Sequence, residues 1–212
     1  MVDLIKGTWM EQDDEELKSR WIKGKDLLYE YNNHSLADVD EINRLKKELF
    51  KSVGDNVTVT PPFFCDFGSN TSIGEGTFIN VGCVFLDTCE LTIGKYCLIG
   101  PGVHIYCANH PSNIEERIVP RDDSLNTKDY PYINNNGRFN ENIEYTFTEF
   151  AEPVRIGDRS WIGGQSIILP GVTIGENVVI GAGSVVTHDI PSDTIAFGSP
   201  AKVVRENKIS DY

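Results

Sequence analysis

The most constraining feature of the sequence is an aliphatic residue that returns every six positions. The register is unbroken over six units near the C-terminus, at Ile156, Ile162, Ile168, Ile174, Ile180 and Val186. Two further blocks follow the same period, at Ile73, Ile79 and Phe85 and, shifted by two residues, at Ile93, Ile99 and Ile105. A period of six fits neither a helix nor a long alternating strand, but it fits short strands separated by turns. The sequence therefore predicts stacked coils of a parallel β-helix, with one aliphatic per unit pointing inward.

A second position of the repeat supports this interpretation. Four residues after each aliphatic stands a small or β-branched residue: Thr77, Cys83, Cys97, Val103, Ser160, Ser166, Val172, Val178 and Ser184. We expect these side chains to fill the core beside the aliphatic, so Cys83 and Cys97 are interpreted as small core residues.

The chain is predicted to have three parts. Each coil of a solenoid buries its apolar face only against the next coil, so its ends need caps. Residues 1–52 are predicted to form a helical N-terminal cap, in which 35–50 is the better helix, with acidic residues early and Lys46 and Lys47 late. Residues 53–190 form the β-helix, and 191–212 a C-terminal cap and tail, with a short strand or helix after Gly198.

One long segment, residues 106–153, has no repeat and is expected to leave the coils as a loop. It is polar but contains an Asn134–Gly137 turn and, between residues 121 and 150, several aromatic residues, which argues against a disordered linker. Two interpretations stay open. The segment packs onto a binding cleft or an adjoining subunit, or it is a surface hairpin without a role in activity.

Composition excludes several classes of function. The formal net charge of −13 opposes binding to nucleic acid and to anionic membranes. No apolar run is long enough to span a bilayer, and no secretory signal opens the chain, so we expect a cytoplasmic protein. Five cysteines without a CxxC pair indicate reduced thiols, with neither a disulfide framework nor a zinc site.

Motifs around the repeat carry a resemblance to a known family. The stretches FFCDFGSN, LDTCELTIG, PGVHIYCANHP, SWIGG, LPGVTIGENVVIGAGSVVTHDIP and GSPAKVVRE resemble maltose and galactoside acetyltransferases, from about Gly7 to Arg205. The resemblance implies a mostly β fold, a left-handed parallel β-helix, assembled as a homotrimer with active sites between neighbouring subunits. It also implies direct transfer of an acetyl group from acetyl-CoA, the co-substrate, to a sugar hydroxyl, without a metal.

The resemblance assigns the catalytic residues. A sugar hydroxyl needs a base to remove its proton as it attacks, and histidine titrates near neutral pH. His110, held by Pro111 in the HP pair, matches the family's base, although a surface His-Pro turn is the alternative without the family match. Asn80 matches the asparagine that stabilises the oxyanion of the tetrahedral intermediate. Asn80 is also expected to be one of the residues that bind the acceptor.

The resemblance also assigns binding residues. Three carboxylates are expected to bind the acceptor's hydroxyls: Asp66, Asp87 and, from an uncertain register near the N-terminus, Asp13. Seven residues are expected along CoA or near the acetyl group: Gly164, Ala182, Thr187, His188, Lys202, Arg205 and Trp161. His188 departs from the family, whose members usually carry lysine there, and packing accounts equally well for Trp161.

Rival interpretations remain open at the level of sequence. Cys107, three residues before His110, is a candidate nucleophile, but a donor already activated as a thioester gains little from a second thioester. A carbonic anhydrase of the same fold would need several histidine ligands between subunits, but the chain has only His34, His104, His110 and His188, without a close ligand-spaced pair. Packing or a local hydrogen bond is the expected role of His34 and His104. A non-catalytic β-helix scaffold would leave the conjunction of His110, Asn80, Asp66 and the basic tail unexplained.

Overall fold

The computed structural model describes residues 5–6 and 14–208. Three helices are present in this part of the chain: α1 (Glu15–Asn33), α2 (Val39–Leu49) and α3 (Ile114–Arg117). The strands of the coils are β2 (Ser52–Val53), β3 (Thr58–Val59), β4 (Phe64–Cys65), β5 (Thr71–Ile73), β6 (Phe78–Ile79), β7 (Val84–Leu86), β8 (Leu91–Ile93), β9 (Leu98–Ile99), β10 (His104–Tyr106), β14 (Val154–Ile156), β15 (Trp161–Ile162), β16 (Ile167–Ile168), β17 (Thr173–Ile174), β18 (Val179–Ile180), β19 (Val185–Val186), β20 (Thr194–Gly198) and β21 (Ala201–Glu206). The remaining strands are β1 (Ile5–Lys6), β11 (Ala108–Asn109), β12 (Ile118–Pro120) and β13 (Tyr145–Ala151).

The chain divides into two compact units. Of the described residues, the coil unit contains 20–107 and 152–208. The excursion unit contains Ala108–Ala151 together with 5–6 and 14–19. No helix in the described ranges has both the length and the apolar character that a membrane span requires.

The coil unit is a parallel β-helix, as the repeat predicts. Each coil contributes one short strand to each of three sheets, whose orders are β17-β14-β8-β5-β2, β20-β18-β15-β9-β6-β3 and β19-β16-β10-β7-β4, with β21 added antiparallel to β20. The repeat aliphatics stand in register up the inside of each sheet, as in the row Ile79, Ile99, Ile162 and Ile180. All of them are at most 3% exposed, and the small residues four positions later are buried beside them.

The N-terminal helices cover the first coil and also form hydrogen bonds with its backbone. Strand β3 lies at a sheet edge, where unpaired carbonyl groups would otherwise be exposed to pairing. Lys46 Nζ donates to the carbonyl oxygen of Val57, and the hydroxyl of Tyr31 donates to that of Val59, both at 2.5 Å. Burial lowers the pKa of Lys46 and raises the pKa of Tyr31 to about 12. Two buried polar side chains of the cap therefore supply hydrogen-bond donors for the carbonyl groups at the edge of the sheet.

The excursion unit is an ordered antiparallel sheet. Strand β13 is its centre and pairs with β1, β11 and β12. A tight turn at 134–137, with Gly137 at a φ of +72°, brings Ile133 opposite Phe139. The segment that breaks the repeat is thus folded by strand pairings of its own.

Candidate active site

His110 directly follows strand β11, which fixes its backbone against β13 of the same unit. The Nδ1 atom of its imidazole lies 2.7 Å from the backbone carbonyl oxygen of Thr148. A carbonyl can only accept a hydrogen bond, so Nδ1 carries the proton and Nε2 holds the free lone pair in the neutral ring. The residue is solvent-exposed, so a molecule in solution can reach its ring.

The orientation of the ring has a second support. The ring of Phe147 meets that of His110 edge to face, with centroids 5.6 Å apart and an interplanar angle of 85°. Thr148 is 5% exposed and its hydroxyl donates to the carbonyl oxygen of Glu116, which ties β13 to α3. A buried strand residue and an aromatic neighbour therefore hold the imidazole in one tautomer and one position.

Asn80 follows β6 in the coil unit, and its amide is oriented by the backbone. Its Oδ1 accepts a hydrogen bond of 2.8 Å from the backbone N–H of Val81. The Nδ2 group therefore points its two N–H donors away from that contact. Such a pre-oriented donor suits an oxyanion, which needs N–H groups fixed before the charge develops.

Asp66 follows β4 and is half-buried. Its carboxylate lies 3.7 Å from Nζ of Lys25 on α1, and the same Nζ donates to the carbonyl oxygen of Cys65 at 2.5 Å. Burial raises the pKa of Asp66, while the charge of Lys25 and a hydrogen bond from it oppose that shift. A carboxylate with one cationic partner and part of its surface open retains capacity to accept hydrogen bonds from hydroxyl groups.

Asp87, which the resemblance predicts to contact the acceptor, lies inside the protein. It is fully buried, and its two oxygens accept hydrogen bonds of 2.9 Å from the backbone N–H of Phe67 and from the hydroxyl of Thr71. Burial raises its pKa, although these hydrogen bonds work in the opposite direction. The expected contact between Asp87 and the acceptor does not fit this position, because the carboxylate has no exposed surface. It instead braces the turn that follows Asp66.

Asp13, the third carboxylate expected at the acceptor, lies outside the described residues. Lys25 is a residue that sequence reasoning missed. It stands 41 positions before Asp66 in the chain, and nothing in its local pattern marks it as the partner of that carboxylate.

The residues predicted to contact the pantetheine arm lie at coil corners. Gly164 and Ala182 occupy corners of successive coils. The backbone N–H of Gly183 donates a hydrogen bond of 2.9 Å to the carbonyl oxygen of Gly164 and so links these two corners. A Cβ on Gly164 would lie 3.0 Å from the carbonyl oxygen of Pro101, which is closer than an ordinary van der Waals contact, so this corner favours glycine. Thr187 and His188 lie at a later corner, with Oγ1 and Nδ1 2.7 Å apart.

Trp161 lies on the outer surface of β15 and is 53% exposed. Phe78 and Leu98 stand in register beside it on β6 and β9 and are also exposed. These three side chains form an outer apolar strip on one sheet of the coils. Packing within the chain does not account for Trp161, since its ring points outward.

Lys202 and Arg205 lie on one face of β21 because the strand contains a bulge. In a regular strand, residues three apart point to opposite faces. The pairing shifts between Ile195 and Ala196, so Lys202 stands opposite Phe197 and Arg205 opposite Ile195. Since Ile195 and Phe197 alternate with the buried Ala196, both cationic side chains share the outward face. This juxtaposition suits a ligand with several phosphates.

The other candidates have local explanations. The His104 ring is 2.7 Å from the hydroxyl of Tyr106, and His34 is 3.3 Å from Asp38. Cys107 is fully buried; its interaction with Cys89 and its burial raise the pKa of its thiol. A buried thiol that resists ionisation is a poor nucleophile. In the described ranges, no three His, Cys, Asp or Glu side chains are grouped closely enough to bind a metal ion.

Comparison with known proteins agrees with this geometry. Residues 5–54 match the maltose acetyltransferase hexapeptide capping motif, and residues 153–188 match the bacterial transferase hexapeptide family, six repeats. The galactoside O-acetyltransferase of Escherichia coli (strain K12) is 38% identical over 192 residues, which are 91% of this chain and 81% of that protein.

Two solved structures are similar over nearly the whole chain. The maltose O-acetyltransferase of Clostridium difficile 630 is 38% identical, with a TM-score of 0.73 over 92% of this chain and 90% of that one. A hexapeptide-repeat acetyltransferase of Vibrio cholerae O1 biovar eltor, solved with acetyl-CoA, is 33% identical, with a TM-score of 0.74 over 92% and 91%. The chain belongs to the hexapeptide-repeat acetyltransferases, in the family that includes the maltose and galactoside O-acetyltransferases.

Proposed function

We propose that the protein transfers an acetyl group from acetyl-CoA to a hydroxyl of a sugar, with His110 as the general base. The observation that carries this proposal is the hydrogen bond between His110 Nδ1 and the carbonyl of Thr148, in a chain that matches acetyltransferases over nine tenths of its length. It leaves Nε2 free to accept a proton.

The reaction is proposed to proceed by direct transfer. Nε2 of His110 takes the proton of the acceptor hydroxyl as its oxygen attacks the thioester carbon. The carbonyl oxygen becomes an anion, which accepts a hydrogen bond from Nδ2 of Asn80. When the intermediate collapses, the C–S bond breaks and the CoA thiolate receives the proton from the imidazolium. Atoms and charge balance without a metal or a covalent enzyme intermediate.

The binding roles follow the positions of the side chains. Asp66 is assigned to the acceptor because its half-buried carboxylate can still receive hydroxyl groups. Asp87 is assigned to positioning that turn rather than to contact. Lys202 and Arg205, on the outward face of β21, are assigned to the phosphates of CoA, and the Gly164 and Ala182 corners to its pantetheine arm.

We further propose that the protein is a homotrimer with active sites between neighbouring subunits. The outer apolar strip of Phe78, Leu98 and Trp161 supports this, because contiguous exposed apolar side chains on a regular sheet are typical of an interface. Analytical ultracentrifugation is expected to give three times the chain mass. A stable monomer that retains activity would contradict this assembly.

The proposed reaction is tested by incubating the protein with acetyl-CoA and a panel of gluco- and galacto-configured sugars while free thiol is measured. Thiol release should require both the sugar and the protein, and mass spectrometry should find one acetyl group on the sugar. Thiol release that is independent of every sugar would show hydrolysis of acetyl-CoA and would contradict the proposal.

A further inference from the structure

Strand β13 carries aromatic residues on one of its faces. Side chains alternate along a strand, so Tyr145, Phe147 and Glu149 share a face, while Thr146 and Thr148 on the other face are buried. Phe147 is the residue whose ring meets His110, and Tyr145 is its neighbour on the same face, two residues away.

Ring contacts extend this face into the turn of the excursion unit. Tyr145 meets Tyr132 edge to face with centroids 5.2 Å apart, and Tyr132 meets Phe139 at 5.0 Å. The hydroxyl of Tyr145 is bonded to the carbonyls of Tyr130 and Pro131, at 3.2 and 3.1 Å, which holds the turn segment on the strand. Phe147 and Tyr145, two positions apart on one face of β13, and Tyr132 and Phe139, which follow by ring contact, therefore form an aromatic row that begins at His110.

The aromatic row is not a buried core. Phe139 is 61% exposed and Phe147 41%, while Tyr132 and Tyr145 are half-buried. Apolar side chains that lie next to one another and remain exposed mark interaction sites and ligand-binding grooves. Its first ring touches the proposed base, so a molecule lying on the row shares the space of the acceptor.

The surroundings of the row define the chemistry of its ligand. Residues 121–150 contain six Asp or Glu against three Lys or Arg, together with six asparagines. This acidic balance disfavours a polyanion. Amides and carboxylates next to exposed aromatic faces suit a sugar, whose ring has an apolar side and a rim of hydroxyl groups. One sugar ring covers one or two of these side chains, so only linked sugar rings can contact all four.

We propose that the acceptor is an uncharged or cationic oligosaccharide, whose reacting sugar lies at His110 and whose further sugars lie along the aromatic row toward Phe139. This rests on the proposed sugar acetyl transfer and adds the substrate class. A contact with a second copy of the chain is the competing occupant, and the sedimentation coefficient of the Phe139→Ala variant tests for it.

The test compares neutral acceptors of increasing length at saturating acetyl-CoA. Two series are used, α-1,4-linked glucose and β-1,4-linked galactose, each from one to four sugars. In at least one series we expect kcat/KM to rise by about two- to tenfold for each added sugar, the gain expected from one further aromatic contact. The Phe139→Ala variant should lose the gain from the most distant sugar and keep the gains from the nearer ones.

Tyr29→Ala is the matched control, since Tyr29 is an exposed aromatic residue on α1 in the coil unit. It should leave the dependence on length intact. A flat profile in both series, while single sugars are acetylated, would overturn the aromatic row as a binding surface. An equal loss of kcat/KM on acceptors of every length in Phe139→Ala would also overturn it. The same holds if Phe139→Ala changes the sedimentation coefficient of the protein but leaves the dependence of kcat/KM on acceptor length unchanged. Absence of acetylation of every sugar would instead contradict the proposed function itself.

Discussion

The imidazole of His110 and the backbone of Thr148 are joined by a hydrogen bond of 2.7 Å between Nδ1 and the carbonyl oxygen. The partner is a backbone atom of a paired strand, so no side-chain substitution removes it directly. The contact sets the tautomer of the ring and thereby decides which nitrogen is free to accept a proton.

This relationship predicts the position of a proton. In the neutral ring of His110, Nδ1 should be protonated and Nε2 free, the reverse of the tautomer that predominates in free histidine. Long-range ¹H–¹⁵N NMR distinguishes the two, and His110→Gln identifies the signals by their loss. A neutral ring protonated on Nε2 would show that the Thr148 carbonyl does not orient the base.

Asn80 is expected to accelerate the chemical step rather than to bind the acceptor. The Asn80→Ala variant should lower kcat by about 10²–10³, the effect of removing one oxyanion donor, with little change in acceptor KM. Steady-state kinetics with both substrates varied separate these quantities. A rise in KM at unchanged kcat would place Asn80 among the binding residues instead.

Lys202 and Arg205 are expected to act on the donor alone. Lys202→Ala combined with Arg205→Ala should raise the KM for acetyl-CoA by about three- to tenfold, with a larger ratio at low salt, because ions screen exposed charges. Lys208→Ala is the control, since that lysine is paired with Glu206 at 2.6 Å. An effect confined to the sugar would contradict the assignment to CoA.

Asp87 is expected to make stability depend on pH. Burial raises its pKa above the ordinary value of 3.8, so the folded protein holds this proton to a higher pH than the unfolded chain does. Its contribution to the free energy of unfolding therefore falls as pH rises from below 3.8 through the folded pKa. Asp87→Asn keeps the acceptor for Phe67 N and has no such loss.

The measurement is urea unfolding of both proteins over this pH range. The stability of Asp87→Asn relative to the parent should increase with pH, and Asp129→Asn, the same substitution at an exposed site, is measured alongside as the control. A relative stability that decreases with pH would mean that hydrogen bonds to the carboxylate outweigh its burial.

The repeat was sufficient to predict the coils, because one inward side chain per six residues is a local property of each unit. Ile79 and Ile162 occupy the core for the same reason, as do Cys83 and Cys97 at the small position. The helix of residues 35–50 is confirmed as Val39–Leu49, with Asp38 capping its first turn.

Features that depend on distant parts of the chain were not predictable in this way. The carboxylate of Asp87 is buried because Phe67 and Thr71, 20 and 16 residues earlier, supply its donors. The bulge that aligns Lys202 with Arg205 arises in the pairing of β20 with β21. The excursion has no period, so only its aromatic content hinted at the sheet that orients His110.

The most direct test of the account is the turnover of His110→Ala with acetyl-CoA and the best sugar found. Loss of a general base should lower kcat by about 10²–10⁴, while calorimetric titration shows CoA bound as in the parent. His34→Ala, which removes a half-buried histidine near Asp38, should turn over like the parent. A kcat of His110→Ala within a fewfold of the parent would contradict acetyl transfer with His110 as the base.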